Sequence, residues 1–294
     1  MHKLIEIRTA APKGLWTKFV NEHRFQKGVS KLTIDLEECV FVEPFHIVLL
    51  ACLIEEYYQN DVQIFFESGE NLALREYLTA IRFLEYWEPG FDRTSYSQND
   101  KMTNLCLWKL DPRMLSPYVV YAQKYFETNF LKEKSFEPLN ISLAELFNNI
   151  IDHANSPVSG YTTSQFYPRQ GKVRVAVCDF GVGIPQKVNS FFAAEGYESM
   201  RSDQALLHAF QKSFSTKSSP QNRGFGLDNL LAIVKECRGT LRVVSNNAMM
   251  ILEDGSIRCF QIKHNFQGTH FEVILDTTSF EESDTEIFDE DFSF

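Results

Sequence analysis

The chain has 294 residues, 44% of them hydrophobic and 14% aromatic, which is enough to fill the packed cores of one or two soluble domains. Its formal charge of −10 excludes a broadly basic nucleic-acid surface, and the excess is local: eight acids and no base lie between Asp276 and Phe294, so the remainder is close to neutral. No apolar run approaches the roughly 18 to 20 residues of a membrane span, and the opening MHKLIEIRTAAPKG lacks the apolar centre of a signal peptide, so no membrane association and a cytoplasmic location are expected.

In chain order, VSKLTIDLEECVFV (29–42) alternates as a strand does and PFHIVLLACLIEEYYQN (44–60) reads as a helix. DVQIFFES (61–68) then predicts a second strand and ALREYLTAIRFLEYW (73–87) a second helix. Short alternating units of this kind predict a small α/β domain over 1–103, closed by the polar, turn-rich EPGFDRTSYSQNDKMT (88–103). NLCLWKL follows as a strand and YVVYAQKYFETNFL (118–131) as a helix. LAELFNNIIDHANS (143–156) carries an apolar stripe, and GKVRVAVCDFGVGIP (171–185) is a strand running into a glycine-broken turn. Residues 186–223 carry few strand signals, are expected to contain one or two helices and end in the polar run STKSSPQNR. GFGLDNLLAIVKECRG (224–239) predicts a helix stopped by glycine, after which TLRVVSNN, MMILEDGSIRCFQI and GTHFEVIL supply strands, the middle pair turned at Asp254–Gly255. The six cysteines are scattered, form no CxxC pair and read as reduced core residues.

Three features carry chemistry. The helix 143–156 gathers Glu145, Asn149, Asp152 and His153 into one sector, two acids, an amide and an imidazole beside an apolar stripe. Asp179, Gly181 and Gly183 form DxGxG at the end of a buried strand, where a carboxylate requires donors and the glycines let a flat ligand approach the backbone. An adenine fits, because its exocyclic amine donates to a carboxylate. Gly224 and Gly226 open the helix that continues through Leu227, with Lys212, Lys217 and Arg223 just upstream, a pattern suited to phosphate oxygens. Each feature alone is common: a solvated helix flank, a strand-ending turn, a helix start. No GxxxxGK[ST] is present, and the DFG stretch lacks the HRD and APE companions of protein kinases.

In this order and spacing the three features resemble the GHKL ATPases, the family of gyrase, heat-shock chaperones of the ninety-kilodalton class, histidine kinases and MutL proteins. ELFNNIIDHA is similar to the family's N box, DFGVGIP to its first glycine box, GFGLDNL to its second, and GTHF to its late Gly-Thr strand. The resemblance covers about 104–278 and implies a two-layer α/β sandwich with a mixed sheet. It implies ATP and Mg2+ as cofactors, with Asn149 as the metal ligand and Glu145 as the base that polarises the attacking group. Asp179 would hold adenine with support from Thr269, and 186–223 would close over the phosphates as a lid.

The first domain is similar, in pattern only, to STAS domains, although Val42-Glu43-Pro44-Phe45-His46 offers no phosphorylatable hydroxyl where phosphorylated members carry a serine. Together the two resemblances imply an α+β protein: a STAS-like domain (1–103), a GHKL domain (104–278) and an acidic tail (279–294) expected to be disordered. The implied role is a nucleotide-dependent switch or slow ATPase in signalling, with a serine kinase of the anti-sigma type as the alternative. A histidine kinase fits less well, because no H box precedes the ATP domain. ATP, a protein regulator or substrate and a second copy of the chain are the partners considered, and nucleic acid is not expected.

Overall fold

The computed structural model describes residues 1–8, 13–67, 69–93, 102–111, 113, 115–153, 160–211 and 226–282. Three strands, β1 (His2–Glu6), β2 (Lys31–Asp35) and β3 (Gln63–Glu67), form a parallel sheet in chain order. Helix α1 (Lys13–Glu22) joins β1 to β2, and α2 (Pro44–Tyr58) joins β2 to β3. The expected strand, helix, strand and helix are present, the last as α3 (Leu72–Ala80) followed by a short 3-10 turn at Glu85–Trp87. β1 and α1 were not anticipated.

The second sheet has the order β4-β5-β6-β8-β7, from β4 (Trp108–Lys109), β5 (Tyr161–Tyr167), β6 (Lys172–Asp179), β7 (Thr240–Glu253) and β8 (Ser256–Asp276). Every neighbouring pair in it is antiparallel, which corrects the expectation of a mixed sheet. The four late strands expected are two long ones, joined at Asp254 and Gly255, both in the left-handed region as a tight hairpin turn requires.

Alternation along the strands decides what covers each face. Val173, Val175 and Val177 of β6, with Phe271, Val273 and Leu275 of β8, pack under α4 (Leu115–Asn129), α5 (Glu137–His153) and α8 (Leu227–Glu236). Ala176, Cys178 and Phe180, with Tyr161 and Phe266, face the other way and join the core of the first half, where α2 lies against β5 and β6. Helix α2 is apolar on all sides, and every residue except Glu56 and Tyr58 is buried, because a sheet covers it above and below. The two layers expected of the second half, a sheet and the helices α4, α5 and α8, are present, and the first half adds its own sheet and α2 on the opposite face, so the order through the molecule is sheet, helix, sheet, helix. Glu55 of α2 adds a polar tie between the halves, accepting from Arg93 Nη1 (2.7 Å), Lys109 Nζ (2.7 Å) and Tyr161 Oη (2.8 Å). Burial pushes its carboxyl up, but the Lys109, Arg93 and Tyr161 contacts outweigh this and hold it below its ordinary value.

Helices α6 (Ile184–Ala194) and α7 (Ser202–Ala209) are the one or two helices expected within the segment read as a lid. They pack on each other and on β7, burying Val188, Ala205, Leu206 and Phe210 in the main core. Asn189 fastens their connection by donating to Met200 O and accepting from Met200 N, both at 2.9 Å. This part is wall rather than lid. Residues 212–223 of the expected lid lie outside the described residues.

Candidate functional site

Strand register brings three polar residues into one row. Asp179 of β6 pairs with Thr269 of β8, which pairs with Ser245 of β7, and all three side chains lie on the sheet face that carries α5 and α8. The Ser245 hydroxyl donates to Gly268 O (2.8 Å), accepts from Ile184 N (2.9 Å) and touches the Thr269 hydroxyl at 3.0 Å. Asp179, 2% exposed, accepts from Gly181 N at 2.6 Å, the bond that turns the chain out of the strand. Its burial raises the carboxyl pKa to about 7, against the lowering effect of the Gly181 and Thr269 backbone bonds. Among the described residues no basic side chain contributes to that balance.

The turn after Asp179 is held from below. Asn246 Nδ2 donates to Val182 O (3.0 Å) and Asn246 Oδ1 accepts from Gln186 N (3.1 Å), so one amide staples both sides of Gly183. Gly183 has φ +85°, and a Cβ there would sit 2.5 Å from that amide. Gly268 is tighter still: at φ +126°, a Cβ would fall 2.1 Å from Asp179 O. Gly183 thus answers to the Asn246 side chain and Gly268 to the backbone at the end of β6, while Gly181, also buried, supplies the N–H that Asp179 accepts.

Helix α5 approaches the same corner. A Cβ on Gly160 would meet Cys178 O at 2.9 Å and Ile150 Cγ2 at 3.2 Å, which brings the last turns of α5 next to the end of β6. On α5, Glu145 is buried and Asn149 half-buried, and Asn149 Nδ2 donates to Glu145 O at 2.7 Å. That bond turns the amide nitrogen toward the helix, so the oxygen is the atom a cation could take. The side chains of Asp152 and His153 lie outside the described residues. Gly226 caps α8 in an extended conformation and Leu227, buried, begins it, with α8 packed on α5. Asp228 Oδ1 folds back over Gly226, 2.8 Å from where a Cβ would be. Lys212, Lys217, Arg223 and Gly224 lie outside the described residues.

Thus Asp179, Gly181, Gly183 and Thr269 share one corner, while Glu145, Asn149, Gly226 and Leu227 belong to the helices packed beside it. Residues 137–279 match the family described as Histidine kinase-, DNA gyrase B-, and HSP90-like ATPase. The matched span opens with α5 and closes just after β8, so it holds every described residue of the expected site, and it points to an ATP-binding function of the GHKL type. No curated protein matches the chain. Sequence reading missed Ser245 and Asn246, for which the polar Ser-Asn-Asn ending an apolar strand was an available signal. Gly268 was read as part of GTHF, but its close approach to Asp179 was not.

Proposed function

We propose that the chain binds Mg-ATP at the end of β6 and uses nucleotide occupancy, reset by slow hydrolysis, to regulate a protein partner. The observation that carries this reading is Asp179: a carboxylate buried at the end of β6 beside Thr269, held among the described residues by backbone amides, and raised in pKa. A ligand that brings its own donor, such as the adenine amine, relieves what burial imposes. In this reading Asp179 accepts that amine, Thr269 supports it, and Gly181 and Gly183 keep the backbone open to the ring. Asn149 offers Oδ1 to Mg2+, which when bound neutralises charge on the phosphates. Gly226 and Leu227 at the start of α8, with Lys217, Arg223 and Gly224, hold the phosphates, and Glu145 takes the proton of the attacking group. The first 103 residues act as a STAS-like regulatory domain, the full protein works in the cytoplasm, and its output is signalling.

The test is incubation of the full chain with Mg2+ and ATP labelled at the γ-phosphate. Free labelled phosphate supports the slow ATPase, and bound ATP without turnover supports a pure switch. Label transferred to a serine replaces both with a kinase of the anti-sigma type. Absence of any adenine-nucleotide binding overturns the reading.

A further inference from the structure

Behind the Asp179 corner, on the face opposite the proposed nucleotide, a residue of the first half reaches into the second. Phe180 follows Asp179 and therefore points the other way, fully buried, its ring edge-on to Phe266 at 6.0 Å. The guanidinium of Arg24 lies 3.8 Å over the Phe180 ring centroid. Its Nη1 also donates to Gln267 O, at 3.4 Å. Gln267 precedes Gly268, where a Cβ would run into Asp179 O and Phe180 Cα. One planar group thus touches the chain on both sides of the paired end Asp179–Thr269, at Phe180 and at Gln267.

Arg24 is itself held. Its Nε and Nη2 donate to both carboxylate oxygens of Glu56 on α2, at 2.5 to 2.9 Å, and Glu56 Oε2 also accepts from Phe25 N at 2.8 Å. The pair is largely withdrawn from water, with side-chain exposures of 18% and 15%. A pair used only to attach two domains would be served as well at the rim. This one is bidentate, geometrically fixed, and spent on the ring next to Asp179. A third link runs beside it, Cys52 Sγ of α2 donating to Cys178 O at 3.3 Å, one residue before Asp179.

We infer that Arg24 is a positioning residue for the adenine corner, so that the first half forms the back wall of the nucleotide site and senses its occupancy. The inference rests on the ATP-binding reading above. Arg24 touches no nucleotide in it; by pinning Phe180 and Gln267 it fixes the spacing between the Asp179 carboxylate and Thr269. Whatever nucleotide does to that spacing is returned, through Arg24 and Glu56, to α2 and the strand-helix unit built on it, because coupling between two sites is reciprocal.

The experiment compares wild type, Arg24→Met, Arg24→Lys and Glu56→Gln by calorimetric titration with ATP and with GTP, well below each melting temperature. Arg24→Met keeps the stem and loses the plane, and Arg24→Lys keeps the charge and loses the fork. Both should weaken ATP by about 3- to 10-fold, the scale of one desolvated cation–π contact, and narrow the preference for ATP over GTP. Glu56→Gln, which leaves Arg24 an acceptor and its ring contact, should stay within about 2-fold of wild type; if the Arg24 variants do not fold, the exchange of the Phe25 amide in wild type decides, and exchange unaffected by ATP there overturns the inference. A purely structural pair would lower the melting temperature of all three variants and leave the affinities of the folded proteins equal. Hydrogen exchange supplies a second readout: ATP should slow exchange at the Phe25 amide in wild type and leave it unchanged in Arg24→Met. Unchanged ATP affinity in both Arg24 variants, or loss in Glu56→Gln equal to theirs, overturns the inference alone. A wild type that binds no adenine nucleotide overturns the ATP reading and this inference with it.

Discussion

Replacing Asp179 by Asn tests the site through stability before any ligand is added. The folded carboxyl has a pKa of about 7, because burial penalises its charge more than the Gly181 and Thr269 amides favour it. In the unfolded chain it titrates near 3.9. Since the folded value is the higher one, ionisation works against the fold. The penalty is nearly absent below about pH 4, grows as pH rises between the two values and is complete above about pH 7. At about 1.4 kcal/mol per pH unit it amounts to roughly 1 kcal/mol at pH ~4.5 and roughly 4 kcal/mol at pH ~8.5. Asn carries no such penalty. It loses one acceptor oxygen and places an N–H among backbone donors, a fixed loss of about 1 to 3 kcal/mol at either pH. The stability of Asp179→Asn relative to wild type should therefore rise by about 3 kcal/mol from pH ~4.5 to pH ~8.5, changing from deficit to gain. Urea unfolding at the two pH values, without nucleotide, measures that swing. A swing below about 0.5 kcal/mol would mean that Asp179 is not the uncompensated buried carboxylate described here.

The remaining predictions concern the elements around that carboxylate. Asn246→Ala removes both hydrogen bonds that staple the turn at Gly183 and should cost about 1 to 3 kcal/mol in urea unfolding, with Asn246→Asp recovering part through the retained acceptor. Gly268→Ala forces a Cβ to 2.1 Å from Asp179 O at a φ that favours glycine, and should destabilise by roughly 2 to 4 kcal/mol; a melting temperature equal to wild type would show that the two strands are not in that contact. Glu145→Gln, isosteric at a buried position, should keep ATP affinity while slowing phosphate release or transfer by about 10²- to 10⁴-fold. Asn149→Ala should weaken ATP in the presence of Mg2+ and leave Mg-free ADP nearly unaffected, and equal losses in both conditions would remove Asn149 from the metal role.

How much of this was legible depended on whether apolar periodicity or long-range pairing decided the element. Helices α2 and α5 announce themselves through continuous and striped apolar residues, and β6 through KVRVAVCD. The continuous apolarity of α2 also held the clue to the four layers, since a helix buried on all sides must be covered by more than one sheet. Strand β5 was hidden because Thr162, Thr163 and Ser164 are buried yet polar, their hydroxyls absorbed in part by backbone carbonyls of Ala176 and Leu105. The one or two helices expected within 186–223 are present as α6 and α7, but their place in the core was not legible, because only the hairpin of β7 and β8 gives their apolar residues something to pack on. At the site, Asp179 and the glycines were visible as a motif. Ser245, Asn246 and Arg24 were not, since their roles exist only once register and the stacking of the first half on the sheet bring them there.

The most direct test of the central claim is calorimetric titration of the full chain with ATP and GTP, in wild type and in Asp179→Asn. Adenine presents an amine to the carboxylate where guanine presents a carbonyl, and a charge-assisted hydrogen bond of roughly 1.5 to 3 kcal/mol corresponds to about 10- to 100-fold in affinity. Wild type should bind ATP and strongly disfavour GTP, and Asp179→Asn should lose ATP affinity by that factor while remaining folded. Equal affinities for ATP and GTP in wild type, or an Asp179→Asn variant that binds ATP as tightly as wild type, would contradict the assignment of the β6 corner as an adenine site.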